Sequence, residues 1–292
     1  IEEAVNRLRV NMSFLGEDVK KIMVISTMPD EGKSFVTMQL WRQMAETGID
    51  SVLIDADMRK SVMVDKYDVK KEDGGKILGC SYYLANDIPL EQAVLKTQYE
   101  HGDILPNNDN VVNPSILLEN HKFADMLDEL AGKYRYVFVD APPLNLVSDG
   151  ERIGSLCDGA VLVVRGNSTP KSIVKNSALQ LERAGCPLLG VVLNRVKGAN
   201  GGYYYKQYGG KHYGYGYGKG YGDGHGMLFI LYVFCFGSLH KYSLGKEDKS
   251  NVQVTEKGFS RCFSFQLSSF KRCICSRFCY RCSSSKRILQ GS

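Results

Sequence analysis

The sequence predicts a three-layer α/β fold built on a doubly wound, mostly parallel sheet, and three observations lead there. Short apolar runs without polar alternation, at 22–26 (IMVIS), 51–55 (SVLID), 137–140 (VFVD), 159–165 and 188–193, read as strands buried on both faces. Segments with a helical repeat fall between most of them, and strands alternating with helices give βαβ units and a parallel sheet. Two of the strands run straight into acidic residues, the habit of parallel strands whose ligands sit beyond their carboxyl ends.

Taken in order, residues 1–14 read as a helix with Val5, Leu8 and Met12 on one stripe. Strand 22–26 leads through a tight loop into a helix over 36–46, with Val36, Leu40 and Met44 on one face and Gly48 ending it. The strand from 51 finishes in D-x-D-x-R at Asp55, Asp57 and Arg59, and the charged stretch 60–75 reads as a loop. Residues 79–94 read as two short helices about a turn at Asn86-Asp87, and 103–106 as a short strand. Asn113-Pro114-Ser115 starts a helix that runs to about Leu130. The strand within 134–144 carries Asp140 at its tip and is stopped by Pro142-Pro143. Strands 159–165 and 188–193 follow, with helix 171–184 between them and Asn194 at the end of the second.

The stretch 22–36 organises the rest. A buried strand, a loop holding Glu31-Gly32-Lys33-Ser34 and a helix start are the setting a phosphate-binding P-loop needs. Backbone N–H groups of residues Thr27, Met28, Pro29, Asp30, Glu31, Gly32, Lys33, Ser34 and Phe35, proline excepted, would cradle phosphate oxygens, aided by the helix N-terminus. Lys33 would neutralise the β- and γ-phosphates and Ser34 would offer its hydroxyl to Mg²⁺. Thr27 stands where the usual G-x-x-x-x-G-K-[ST] pattern has its first glycine, so the expected class is P-loop NTPase-like with a deviant Walker motif. Asp55 and Asp57 alternate and would share one side of an extended backbone, where two carboxylates repel unless a cation lies near. Asp140 has the Walker B pattern, a carboxylate beside the P-loop that holds Mg²⁺ through water.

Composition divides the 292 residues unevenly. Eleven of the 37 Lys and Arg, but only three of the 32 Asp and Glu, lie after Gly226, so the body is slightly acidic and the overall basic balance is no argument for nucleic acid. Cys80, Cys157 and Cys186 are scattered without disulfide or metal spacing, as a reducing compartment allows. No signal peptide and no apolar run of spanning length is visible, so no direct membrane span is expected. The expected division is a catalytic domain over 1–198, a Gly/Tyr-rich tail over 199–226 and an extension over 227–292. The tail holds Tyr203, Tyr204, Tyr205, Tyr208, Tyr213, Tyr215, Tyr217 and Tyr221 among glycines, a composition that does not support a packed core. Such a tract also suits an adhesive tail or a stacking surface for single-stranded nucleic acid, although no arginine is interleaved. The extension turns abruptly to Ser, Cys and Arg and looks like out-of-frame translation; its Cys273, Cys275, Cys279 and Cys282 do not match a paired C-x₂-C zinc frame.

Ser26-x-x-Pro29-x-Glu31-Gly32-Lys33-Ser34, the strand ending Asp55-Ala-Asp57-Met-Arg59, Val137-Phe-Val-Asp140-x-Pro142-Pro143 and the tyrosine cluster together resemble the bacterial tyrosine kinases of capsule and exopolysaccharide synthesis, from about Glu2 to about Tyr221. The resemblance implies that Lys33 and Ser34 hold ATP with Mg²⁺, that Asp55 accepts the proton of the substrate tyrosine and approaches the metal, and that Asp57 and Asp140 hold Mg²⁺ through water. It offers Asn194 as an adenine contact, with a plain strand-end turn residue as the alternative. It makes the tail tyrosines phosphoacceptors, offered to the site of a neighbouring subunit in a homo-oligomeric ring. The family's assembly motif E-x-x-R-x-x-R is matched by Glu3 and Arg9, while Asn6 replaces the middle arginine, so an ordinary amphipathic helix stays open. A separate membrane-anchored activator, a chain-length determinant protein, is implied as partner. The chain would then be cytoplasmic and recruited to the inner face of the membrane.

Two other readings compete. A Min/Par-type partitioning ATPase shares the fold and the deviant motifs, but usually carries an extra lysine early in the P-loop, and 26–31 holds none. A nucleotide-dependent scaffold or co-polymerase regulator would bind ATP and leave the tyrosines bare.

Overall fold

The computed structural model describes residues 2–67, 69, 74–108 and 110–196; the tyrosine tail and the extension expected over 199–226 and 227–292 lie outside the described residues. In chain order the elements are α1 (Glu2–Met12), β1 (Lys21–Ser26), α2 (Lys33–Glu46), β2 (Ser51–Asp55), α3 (Met63–Tyr67), α4 (Gly79–Ala85), α5 (Leu90–Ala93) and β3 (Leu95–Lys96). They continue as β4 (Gly102–Leu105), α6 (Ser115–Glu119), α7 (His121–Lys133), β5 (Tyr136–Asp140), α8 (Asp149–Gly154), β6 (Gly159–Arg165), α9 (Lys171–Arg183) and β7 (Leu188–Asn194).

The strands form one sheet in the order β3-β4-β2-β5-β1-β6-β7. All pairings are parallel except β3 with β4. The apolar runs are buried on both faces because successive side chains feed two cores. Ile22 and Val24 of β1, Leu53 of β2 and Phe138 of β5 pack with Val5 and Leu8 of α1 and Val36, Leu40 and Trp41 of α2. Met23 and Ile25, Val52 and Ile54, and Val137 and Val139 pack on the other face with Phe123 and Leu127 of α7, Ile153 of α8 and Leu181 of α9. This is the doubly wound three-layer sandwich. The chain runs from β1 to β2 and out to β3 at the edge, then returns through β4 to insert β5 between β2 and β1. The carboxyl ends of β1, β2 and β5 therefore meet at the reversal point, where ligands of such sheets bind.

Several expectations need correction. The charged stretch 60–75 contains α3, which forms because Met63 is fully buried against the α2-side core. The helix expected to reach Leu130 unbroken is two helices: Asn120 is extended, and its side chain accepts from Lys122 N to cap α7. The two-residue β3 and the six-residue α8 were not expected from the pattern, being too short to show a period. The second strand stops at Asp55, and the run through Arg59 is loop. Among the described residues no helix is long and apolar enough to cross a membrane.

Candidate active site

β1 delivers the phosphate loop and α2 begins directly after it. Gly32, at the N-cap of α2, has φ 92° and makes no side-chain cap, so the first-turn N–H groups remain without intrahelical partners. A Cβ at Gly32 would lie 2.0 Å from Asn194 Nδ2, and glycine is needed there for space as well as for φ. Met28, Pro29 and Asp30 form the exposed crest of the loop, and Asp30 also takes a positive φ of 59°. Phe35 is half-buried against the α1–α2 core.

Lys33 is buried, and its Nζ lies 2.9 Å from Asp57 Oδ2 and 3.2 Å from Asp140 Oδ2. Ser34 Oγ lies 3.3 Å from the same nitrogen. Asp55 and Asp140 end adjacent strands in register, so their backbones are held side by side by the sheet. Asp55, Asp57 and Asp140 are all buried. One ammonium thus faces three carboxylates, and the surplus is negative. Burial, and after it the Asp140 carboxylate, push Asp55 up to about 7. Burial likewise pushes Asp140 up, against the pull of Lys33. Burial works against the charge on Lys33, but Asp140 and Asp57 outweigh it and the ammonium is held above its ordinary value.

Ser61, Thr37, Ser115 and Asp149, which the sequence pattern did not single out, hold these groups in place together with the motif residues Asp57 and Arg59. Ser61 Oγ lies 2.6 Å from Asp55 Oδ2 and 2.7 Å from the Asn107 carbonyl oxygen, tying the acid to the loop after β4. Asp57 N donates to Asp55 Oδ1 at 3.2 Å. Thr37 Oγ1, one turn beyond Lys33, is within reach of Asp140 Oδ1 (3.2 Å) and the Lys33 carbonyl (2.8 Å). Arg59 pairs with buried Asp149 of α8 at 2.6 Å, and Ser115 of α6 donates to the other Asp149 oxygen at 2.8 Å. Only the helical spacing of Thr37 from Lys33 could have been seen beforehand; the rest depends on tertiary placement.

Of the other expected residues, Asn194 borders the phosphate loop, Glu31 lies within it and those of α1 lie away from it. Asn194 ends β7, and its Nδ2 donates to the Glu31 carbonyl at 2.8 Å. The Glu31 carboxylate is turned inward, away from the loop's outer face. On α1, Glu3 pairs with Arg7 at 3.1 Å and Arg9 forks onto Asn6, at 3.2 and 2.9 Å, so the two motif residues engage different partners. The eight tail tyrosines lie outside the described residues.

The donors around the site are hard oxygens, the type Mg²⁺ takes, and their net charge is negative. Among the described residues no three carboxylate, thiol or imidazole side chains close into a ready-made ligand set, because Lys33 sits between Asp57 and Asp140. Ser34 and the aspartates are the residues whose oxygens could hold a divalent cation, and would do so only together with a bound phosphate and water.

Comparison with known proteins identifies the family. Residues 19–151 match the AAA domain family. The tyrosine-protein kinase CpsD of Streptococcus agalactiae is 33% identical over 195 residues, 67% of this chain and 83% of that protein. The kinase domain of the Escherichia coli tyrosine kinase ETK superposes with a TM-score of 0.62 at 28% identity, over 74% of this chain and 80% of that one. The septum site-determining protein MinD of Pyrococcus horikoshii, solved with Mg-ADP, gives 0.51 at 26% identity over 61% of this chain and 70% of that one. With its phosphate loop, its paired acids and these relatives, the chain belongs to the bacterial tyrosine kinases of capsular and exopolysaccharide synthesis.

Proposed function

We propose that the protein is an ATP- and Mg²⁺-dependent protein tyrosine kinase that phosphorylates its own C-terminal tyrosine cluster and so regulates capsule or exopolysaccharide synthesis and export. The observation that supports it most is the meeting of Lys33 with Asp57 and Asp140, beside Asp55, at the ends of three adjacent strands.

The chemistry follows from those groups. Phosphoryl transfer demands positioning and charge stabilisation rather than covalent help. The loop 27–35 and the start of α2 bind the phosphates through backbone N–H groups. The Lys33 ammonium, now shared by two carboxylates, turns to the β- and γ-phosphates. Ser34 directly, and Asp57 and Asp140 through water, would hold Mg²⁺, which would supply charge stabilisation to the transferring phosphoryl group. Asp55 takes the proton of the attacking tyrosine hydroxyl. That hydroxyl has an ordinary pKa near 10 and is protonated at neutral pH, so a base titrating near neutrality is matched to the task. Ser61 and the Asp57 amide keep the Asp55 carboxylate in place. Asn194 stands at the loop's edge, as an adenine contact or as a support of the Glu31 carbonyl.

The acceptors are Tyr203, Tyr204, Tyr205, Tyr208, Tyr213, Tyr215, Tyr217 and Tyr221, on a tail joined to the catalytic domain at about residue 198. Transfer occurs between subunits of a ring assembled through Glu3 and Arg9, and accumulated phosphate charge loosens it. A membrane-anchored chain-length determinant protein recruits and activates the kinase at the inner membrane face. Mixing wild type with Lys33→Met in Mg·ATP tests the transfer. Phosphotyrosine on the Lys33→Met chains is the expected result, and its absence, with wild-type chains labelled, excludes transfer between subunits.

The likeness to MinD favours a partitioning ATPase as the second reading. That reading predicts ATP turnover with no phosphotyrosine.

A further inference from the structure

The phosphate loop lacks the first glycine of the usual pattern and closes all the same. A glycine at that point supplies backbone freedom. Here Thr27 occupies it, and the left-handed residues fall later, at Asp30 and Gly32. Aspartate is among the few side-chain-bearing residues that enter this region readily. Thr27 can therefore carry a side chain, and its hydroxyl donates to Glu31 Oε2 at 2.7 Å.

Glu31 is 2% exposed, and both of its carboxylate oxygens are engaged. Besides Thr27, Oε2 accepts from Met28 N at 2.8 Å. Oε1 accepts from Arg165 N at 3.1 Å, at the end of β6, and from Thr169 Oγ1 just before α9. The Glu31 carbonyl accepts from Asn194 Nδ2 at the end of β7. One residue thus fastens the loop's first turn to two neighbouring strands and to the approach of a helix.

A buried negative charge under a loop that binds anions repels its ligand, so its presence requires another use. An ionised carboxylate only accepts hydrogen bonds and has nothing to donate to a phosphate. All four groups against it are donors, which meets its charge and suits a carboxylate better than an amide. We infer that Glu31 is a positioning residue: its carboxylate, held by Thr27, Met28, Arg165 and Thr169, sets the shape of the phosphate loop in place of the missing glycine and does not touch the nucleotide. The inference rests only on the nucleotide-binding part of the proposed function.

The test uses the full chain, with dissociation constants for fluorescent ATP and ADP analogues and amide hydrogen exchange over 28–34 without nucleotide. Glu31→Gln keeps the size but turns an NH₂ toward donors. It is expected to weaken ATP and ADP by the same factor, about tenfold, and to speed exchange in the loop. Thr27→Val, losing one hydroxyl, should move both readouts less in the same direction, and Thr27→Ser should restore them. Unchanged affinity and exchange in Glu31→Gln would overturn the inference. So would a loss confined to ATP, which would place Glu31 at the terminal phosphate or its metal. Should Glu31→Gln fail to fold, Thr27→Val against Thr27→Ser decides by the same criteria. A wild-type chain that binds nucleotide but transfers no phosphate defeats the kinase reading and leaves this inference to be judged on the same constants; one that binds neither nucleotide defeats both.

Discussion

At the residue scale the site is a contest over one buried ammonium. Lys33 compensates Asp57 and Asp140, so removing it leaves buried acids unpaired. Lys33→Met should therefore lower phosphoryl transfer by about a thousandfold or more and also destabilise the metal-free fold by about 3 kcal/mol. Mg²⁺ alone should raise its melting midpoint more than that of wild type, which differential scanning calorimetry with and without Mg²⁺ checks. Asp55 gives a dependence of definite sign. Its folded-state value, near 7, lies above its ordinary 3.8, so the folded state binds the proton more tightly. The stability this lends is complete below about pH 4 and is lost as pH rises through about 7. Asp55→Asn, which never charges, should then melt roughly 5 °C above metal-free wild type at pH 8, a gap that narrows at pH 5. Melting curves at the two pH values with chelator present would show it; a gap that widens toward pH 5 would contradict the sign. The charged residues were legible because an apolar strand running into an acid is a pattern of the sequence itself. Ser61, which holds Asp55, was not, since its use depends on the Asn107 carbonyl being brought within 2.7 Å by the fold.

At the element scale, the acidic end of β2 is clamped from outside. Val111 N donates to the Met58 carbonyl at 2.7 Å and Ser61 N to Asn110 Oδ1 at 3.0 Å, while Arg59 reaches Asp149 on α8. The segment after β4 and the short helix α8 therefore serve the site without contributing charge to its centre. Arg59→Gln leaves Asp149, which is 3% exposed, without its ionic partner and should cost about 2 kcal/mol. Adding Asp149→Asn should recover part of that loss, so the double variant should have a higher urea midpoint than the sum of the singles predicts. Additive midpoints would show that the pair carries no coupling. The long helices and central strands were legible from period and burial. α8 was not, because six residues with two glycines show no repeat, and the break at Asn120 was hidden because its cap sits inside a helical pattern that continues on both sides.

At the scale of the whole molecule, the reversal of strand order gathers the ends of β1, β2 and β5, and this arrangement turns three separate motifs into one site. The sequence implied a doubly wound sheet and, through the Walker B pattern, Asp140 beside the phosphate loop, but the insertion of β5 between β2 and β1 is set by tertiary packing. Which subunit's tail is served, and whether Glu3 and Arg9 join subunits, depends on contacts between chains that the order of residues does not encode. The central claim is that this site transfers phosphate to the chain's own tyrosines. The most direct measurement is phosphate mapping by mass spectrometry of the full chain after incubation with Mg·ATP, with and without the cytoplasmic tail of a candidate activator and with Lys33→Met as control. Phosphate on Tyr203–Tyr221 that vanishes in the control is the predicted result. Bare tyrosines beside steady ATP turnover, with the activator present, would contradict it.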